Sequence, residues 1–294
     1  MSETRIREEI CRFGRSLFER GLTPGSSGNI SVKLDDGGWL VTPTNASLGF
    51  LDPARMSRLG PDGRLVSGDA PTKEVPLHTA LYQTRNAARA VVHLHSTHSV
   101  ALSMLPEIDP RAALPPMTAY YVMKCGHTAL VPYYRPGDPA VADAIKGLAG
   151  KYSSVLLANH GPVVSGDTLE AAVFAMEELE ETAKLYLLLR GLNPRYLSRE
   201  QVADLTKVFG LTLPEHGHER AQERNAVTRP TDAEVEAAAR VLDKAGRHNH
   251  WWPKTIKSYD EFAKTDPIAK SEFEGIVEQM LMAASQAKGN TETP

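Results

Sequence analysis

Two cysteines, Cys11 and Cys125, are all that 294 residues contain. Two thiols cannot build a disulfide framework, so a reducing cytoplasm is the expected setting. There is no basic block. Lys and Arg total 33 against 36 Asp and Glu, a formal net charge of −3. That lacks the basic footprint of a dedicated nucleic-acid binder. No apolar run approaches the roughly 20 residues of a membrane span. The opening MSETRIREEI is charged where a secretory leader is apolar. No nucleic acid, no membrane and no export are therefore expected. With 41% hydrophobic and 23% charged residues, the composition is that of an ordinary globular protein.

Against this plain background, four residues stand out: Glu74 in PTKEVPLH, His93 and His95 in VVHLHSTH, and His160 in ANHGP. Residues 90–95 read as a strand, and side chains at i and i+2 of a strand share a face. His93 and His95 can then grip one ion from a rigid element. His160 follows a second apolar run, Val155-Leu156-Leu157-Ala158, which also reads as a strand. Three imidazoles leave a divalent ion open to substrate, as catalytic zinc sites do. Glu74 reads as a fourth ligand, as a proton-transferring base, or as an acid complementing a helix N-terminus. An ion so held polarises a carbonyl and stabilises the charge of an enediolate.

The rest of the chain supplies candidate anion contacts and a frame. Ser26-Ser27-Gly28-Asn29 offers small residues and hydrogen-bond donors to a phosphate, as do Thr44-Asn45 and Thr72-Lys73, the last with a positive charge. Periodicity predicts a helix over 4–20 closed by Gly21, and strands near 29–34 and 39–42 joined by a turn at Asp35-Asp36-Gly37-Gly38. Helices follow near 75–86, 97–105 and 138–149, with a strand at 153–158. The longest helix is expected from an Asp167 cap to about 190. Composition shifts near 214, which predicts a body over 1–212, a linker over 213–230 and a helical extension over 231–294. Two helices of that extension are expected, at 232–245 and 267–285. The pairs His216/His218 and His248/His250 lack an acid and strand around them and are read as ordinary.

Taken together, Gly28-Asn29-Ile30-Ser31, Val41-Thr42-Pro43-Thr44, Glu74-Val75-Pro76-Leu77-His78, His93-Leu94-His95 and Asn159-His160-Gly161 resemble the class II aldolase/adducin family. Their order matches the family pattern over roughly residues 5–210. The resemblance implies an α/β fold, an αβα sandwich around a central, mostly antiparallel sheet. It implies a homotetramer with sites near subunit interfaces, and a divalent metal: Zn2+ foremost, with Mn2+ or Co2+ as alternatives. It makes His93, His95 and His160 ligands, Glu74 ligand and proton acceptor, and Tyr120 a proton donor, with Tyr121 one position away. Pro71-Thr72-Lys73-Glu74 is most similar to the branch that decarboxylates 3-oxo-tetronate 4-phosphate, where aldolase members carry two serines for Thr72 and Lys73. That branch implies a small phosphorylated sugar-acid substrate. Aldolase or 4-epimerase chemistry on a sugar phosphate, or an adducin-like interaction module, are the other readings. The tail after about 214 departs from the family, whose ordinary members lack it.

Overall fold

A computed structural model of the chain describes residues 2–148, 150–192, 194–214, 230–253 and 255–289. They fall into two compact units, Met1–His218 and Glu219–Pro294. Apart from its ends, the linker expected over 213–230 lies outside the described residues, as do His216 and His218.

The first unit opens with helix α1 (Glu3–Glu19). Gly21, at φ 75°, ends it: Gly21 N–H donates to Phe18 and Leu22 N–H to Leu17, the paired bonds that close a helix through a left-handed glycine. Strands β1 (Asn29–Lys33) and β2 (Trp39–Val41) form the expected hairpin. Beyond them come β3 (Ser57–Leu59), β4 (Leu65–Ser67), α2 (Val75–Thr84), β5 (Ala90–His93), α3 (Thr97–Ser103), α4 (Ala119–Lys124), β6 (Thr128–Val131), α5 (Ala140–Gly147), β7 (Ser154–Leu157), β8 (Gly161–Gly166), α6 (Leu169–Leu189) and α7 (Arg199–Phe209).

The strands make one sheet in the order β4-β3-β2-β1-β5-β8-β7-β6. Only the β6–β7 pair is parallel, so the sheet is mostly antiparallel as expected. Alternation along the strands splits the core into two layers. Ile30, Val32, Val92, Leu156 and Val164 face α1, α3, α4 and α6. Val91, Val155, Leu157 and Val163 face α2 and α5. The result is the αβα sandwich.

Three expectations need correction. The strand predicted to run through residue 95 ends at His93, because His95 lies past the last ladder pair with β8, His93↔Val163. The cap of α6 is Thr168, whose hydroxyl accepts from Ala171 N–H, and not Asp167. The longest helix is in the second unit.

That unit holds α8 (Asp232–His248), α9 (Tyr259–Thr265) and α10 (Pro267–Gly289). A capping box of Thr231 and Glu234 starts α8, satisfying two backbone donors reciprocally. The buried set is small: Val235, Ala239, Tyr259 and Val277, with Phe262 and Phe273 packed at its edge. Among the described residues of the whole chain, no helix is long and apolar enough to cross a membrane.

Candidate metal centre

The end of β5 fixes the first imidazole. His93 is fully buried, and its Nδ1–H donates to the Pro162 carbonyl at 2.8 Å. That bond sets the tautomer and turns a bare Nε2 lone pair inward. His95 Nε2 stands 3.2 Å from His93 Nε2. Two bare nitrogens at that distance repel, so the pair is stable only with a proton or a cation between them.

The third imidazole comes from the turn between β7 and β8. Asn159 takes the left-handed conformation there at φ 55°, which asparagine tolerates better than most residues. Gly161 follows because a Cβ would sit 2.2 Å from the Leu94 carbonyl. The turn therefore crosses directly over the strand end carrying His93 and His95. Ligand nitrogens of His93, His95 and His160 lie within 4.8 Å of one another. Burial, then the like charge of neighbouring imidazoles, lowers the pKa of His95 and of His160 to about 4. Both are neutral at pH 7, the form that binds a metal.

Glu74 sits at the N-cap of α2, but its carboxylate makes no capping bond to its own helix. It turns to the histidines instead. Oε2 is 3.3 Å from His93 Nε2, and Oε1 is 3.4 Å from His160 Nε2. Burial works to raise its pKa; the neighbouring imidazoles and the Asn29 amide, donating at 2.7 Å, prevail and hold it below the usual carboxylate range. A tetrahedral site with bonds of about 2.0–2.1 Å has ligand atoms about 3.3–3.4 Å apart. Three contacts are near that figure, His93–His95 at 3.2 Å, His93–Glu74 Oε2 at 3.3 Å and His160–Glu74 Oε1 at 3.4 Å, while the three ring nitrogens as a set spread over up to 4.8 Å. Three imidazoles and one carboxylate thus suit a divalent ion, with Glu74 against two of the three rings.

The candidate phosphate residues divide. Asn29 is buried and its amide is engaged by Glu74. Thr72 is buried and its hydroxyl accepts from Glu74 N–H at 3.3 Å. Ser27 bonds back to the Pro24 carbonyl, and Ser26 and Asn45 are exposed. Thr44 N–H is taken by the Ala70 carbonyl. Gly28 has a packing reason of its own: at φ 80°, a Cβ would meet the His93 carbonyl at 2.9 Å. Lys73 is exposed and lines a shallow cleft with Glu74, His160, Tyr134, Arg135 and Asp138. Tyr120 is 62% exposed on α4, whereas Tyr121 is buried and bonded to Thr128. Among the described residues, His248 and His250 join no metal-compatible group.

Sequence reading passed over the polar groups beneath Glu74: Ser31, His78 and Tyr82. A signal was present. Glu74, His78 and Tyr82 are spaced at i, i+4, i+8, one stripe of a helix, while Asn29 and Ser31 are spaced at i, i+2, one face of a strand.

Residues 8–187 match the family described as Class II Aldolase and Adducin N-terminal domain. A 3-oxo-tetronate 4-phosphate decarboxylase of Cupriavidus necator is 52% identical over 203 residues, 69% of this chain and 93% of that protein. An L-fuculose phosphate aldolase of Haemophilus influenzae is 31% identical over 220 residues, 73% of this chain and all of that protein (100%). Among solved structures, YgbL of Escherichia coli superposes with a TM-score of 0.68 at 49% identity, over 69% of this chain and 98% of that one.

Proposed function

This chain belongs to the Class II Aldolase and Adducin N-terminal domain family, and on that premise we propose that it is a carboxy-lyase converting a 3-oxo-tetronate 4-phosphate to dihydroxyacetone phosphate and CO2. One observation carries the chemistry: three imidazoles with ligand nitrogens within 4.8 Å of one another converge beside the Glu74 carboxylate, which lies 3.3 Å from His93 and 3.4 Å from His160. The decarboxylase relative at 52% identity supports the substrate class; the aldolase relative stands at 31%.

A 3-oxo acid loses its carboxylate when the electrons of the C1–C2 bond can move onto the neighbouring ketone. His93, His95 and His160 would hold a divalent ion, Zn2+ in the first instance, with Mn2+ or Co2+ as alternatives that take the same ligand types. When bound, that ion supplies a Lewis acid at the C3 oxygen, where negative charge collects. The C1–C2 bond breaks, CO2 leaves, and its electron pair forms a C2–C3 double bond. A proton then returns to C2 and restores the ketone. The proton comes from solvent, and Glu74, ionised at rest beside the site, would relay it by first accepting it and then giving it to C2. Tyr120, exposed on α4, is the candidate donor to the site of a neighbouring subunit in a homotetramer. Lys73, at the cleft wall, would take the phosphate or the carboxylate. Two free thiols and the proposed phosphorylated substrate support a cytoplasmic setting.

The test uses both C2 epimers of 3-oxo-tetronate 4-phosphate, with dihydroxyacetone phosphate and CO2 as readouts. Turnover is expected with one epimer, to vanish on chelation and to return with Zn2+, Mn2+ or Co2+. Full activity in metal-free protein would overturn the reading. Aldehyde production from a ketose phosphate without CO2 release would move it to the aldolases.

A further inference from the structure

Beneath Glu74 lies a ladder of buried polar groups that joins α2 to β1. Four residues of helix rise about 6 Å and two residues of strand about 6.6 Å, so the two repeats run nearly in step. Asn29 Nδ2 donates to Glu74 Oε2 at 2.7 Å, and Asn29 Oδ1 lies 2.5 Å from His78 Nε2. Ser31 Oγ lies 2.7 Å from His78 Nδ1 and 2.8 Å from the Tyr82 hydroxyl. His78 and Ser31 are fully buried, and Tyr82 nearly so.

Every proton in this ladder is dictated by its upper end. An ionised carboxylate only accepts, so the Asn29 amide must present its NH2 to Glu74 and its oxygen to His78. His78 Nε2 must then carry the hydrogen. Its Nδ1 is left bare and accepts from the Ser31 hydroxyl. The Ser31 oxygen in turn accepts from the Tyr82 hydroxyl. All four bonds point the same way, toward Glu74. An amide stands in the middle of the ladder, and an amide does not pass a proton along as a hydroxyl or imidazole does. The ladder therefore orients; it does not conduct.

We propose that Ser31, His78 and Tyr82 are positioning residues that act through Asn29 to hold the Glu74 carboxylate in the orientation the metal centre uses. Without the Ser31 hydroxyl, His78 is free to shift its hydrogen to Nδ1. Asn29 can then turn its amide over, which sets its oxygen against the Glu74 carboxylate, and the two repel. The inference rests on the metal-centre reading but not on the identity of the substrate.

The test compares Ser31→Ala, Ser31→Thr and Tyr82→Phe with wild type, using Co2+ affinity by chelator competition, kcat and KM, and the Tm of the ion-free protein. His78 is left intact because removing a fully buried ring endangers folding. Loss of a bond behind a metal ligand typically lowers affinity or activity about 10- to 100-fold. Ser31→Ala is expected to lower Co2+ affinity or kcat by about 10-fold, the low end of that range because Ser31 acts through His78 and Asn29, at little-changed KM and with a Tm a few degrees lower, since the Tyr82 hydroxyl and His78 Nδ1 lose their buried partner. Ser31→Thr, which keeps the hydroxyl, should recover most of the loss, and Tyr82→Phe, one bond farther out, should cost less than Ser31→Ala. Unchanged affinity and kcat in Ser31→Ala would overturn the proposal, as would a loss that only tracks a fall in Tm. Wild-type protein that takes up no Co2+ would remove the metal reading itself, a result distinguishable from both.

Discussion

The two units of this chain handle buried polarity in opposite ways. In Met1–His218, Ser31, Glu74, His78, His93, Ser99 and Glu180 all lie in the interior. Ser99 and Glu180 satisfy one another and the start of α3, and the others converge on one point. In Glu219–Pro294 the described interior is apolar and aromatic, and its one buried charge, Asp243, is paired with Arg247 at 3.0 Å along the same helix. Burying a polar group without a partner costs about 1–3 kcal/mol on mutational evidence. A chain keeps many such groups together only where each has a partner or a task. By this measure the first unit is the one equipped for the proposed chemistry. The family match, residues 8–187, lies wholly in the first unit.

The sharpest way to break this contrast is to remove a ligand. His95→Ala takes one nitrogen from the centre while leaving the sheet ladder, which ends at His93, intact. Lewis-acid stabilisation is worth several kcal/mol, so turnover should fall by about three orders of magnitude or more. Bound metal, measured by elemental analysis, should fall with it, and the far-ultraviolet spectrum should not change. A variant that keeps its metal and its rate would show that the four residues meet for another reason.

A smaller effect is expected at the cleft wall. Lys73 is exposed and makes its case only as a cation beside Glu74 and His160. A hydrogen bond to a charged group contributes about 1.5–3 kcal/mol, which is roughly a ten- to hundredfold loss in kcat/KM for Lys73→Ala. Metal content should stay at the wild-type level, which separates this residue from the ligands. Unaltered KM and kcat would take Lys73 out of the substrate contacts.

The site was more legible than the frame around it. His93, His95 and His160 stood out because each follows an apolar run that folds as a strand, and the order of motifs carried the αβα sandwich. Several strands, central β8 among them, were missed for identifiable reasons. β4, Leu65-Val66-Ser67, is exposed throughout and shows no alternation. β8 opens with Gly161-Pro162, a pair that reads as a turn and here lets the backbone cross Leu94. β6 is four residues long and takes its identity from pairing with β7, 26 positions away in register. In the second unit α9 was overlooked although Ser258 and Glu261 form a capping box ahead of it. Gly28 was read as a phosphate contact, yet the approach of the His93 carbonyl is reason enough for a glycine there. Composition does not say which glycine serves a ligand and which serves a neighbour; only the packing distance does.

The least effect on chemistry should come from disturbing the second unit. Gly246 lies within α8, where an alanine would by propensity stabilise the helix by about 1 kcal/mol. Its Cβ, however, would fall 2.1 Å from Nε1 of Trp252 and 2.3 Å from the adjoining ring carbon. The ring cannot yield cheaply, since it packs against Trp251 and Phe273 with centroids 6.4 Å away in each case. Overpacking of this kind costs about 1–3 kcal/mol, which exceeds the propensity gain, so the net sign is destabilising. Gly246→Ala should lower the thermal stability of the C-terminal helices, read by tryptophan fluorescence at Trp251 and Trp252, while kcat, KM and metal content stay within about twofold of wild type. A proportionate fall in kcat would mean that the helices take part in the reaction, and the division of labour between the units would have to be redrawn.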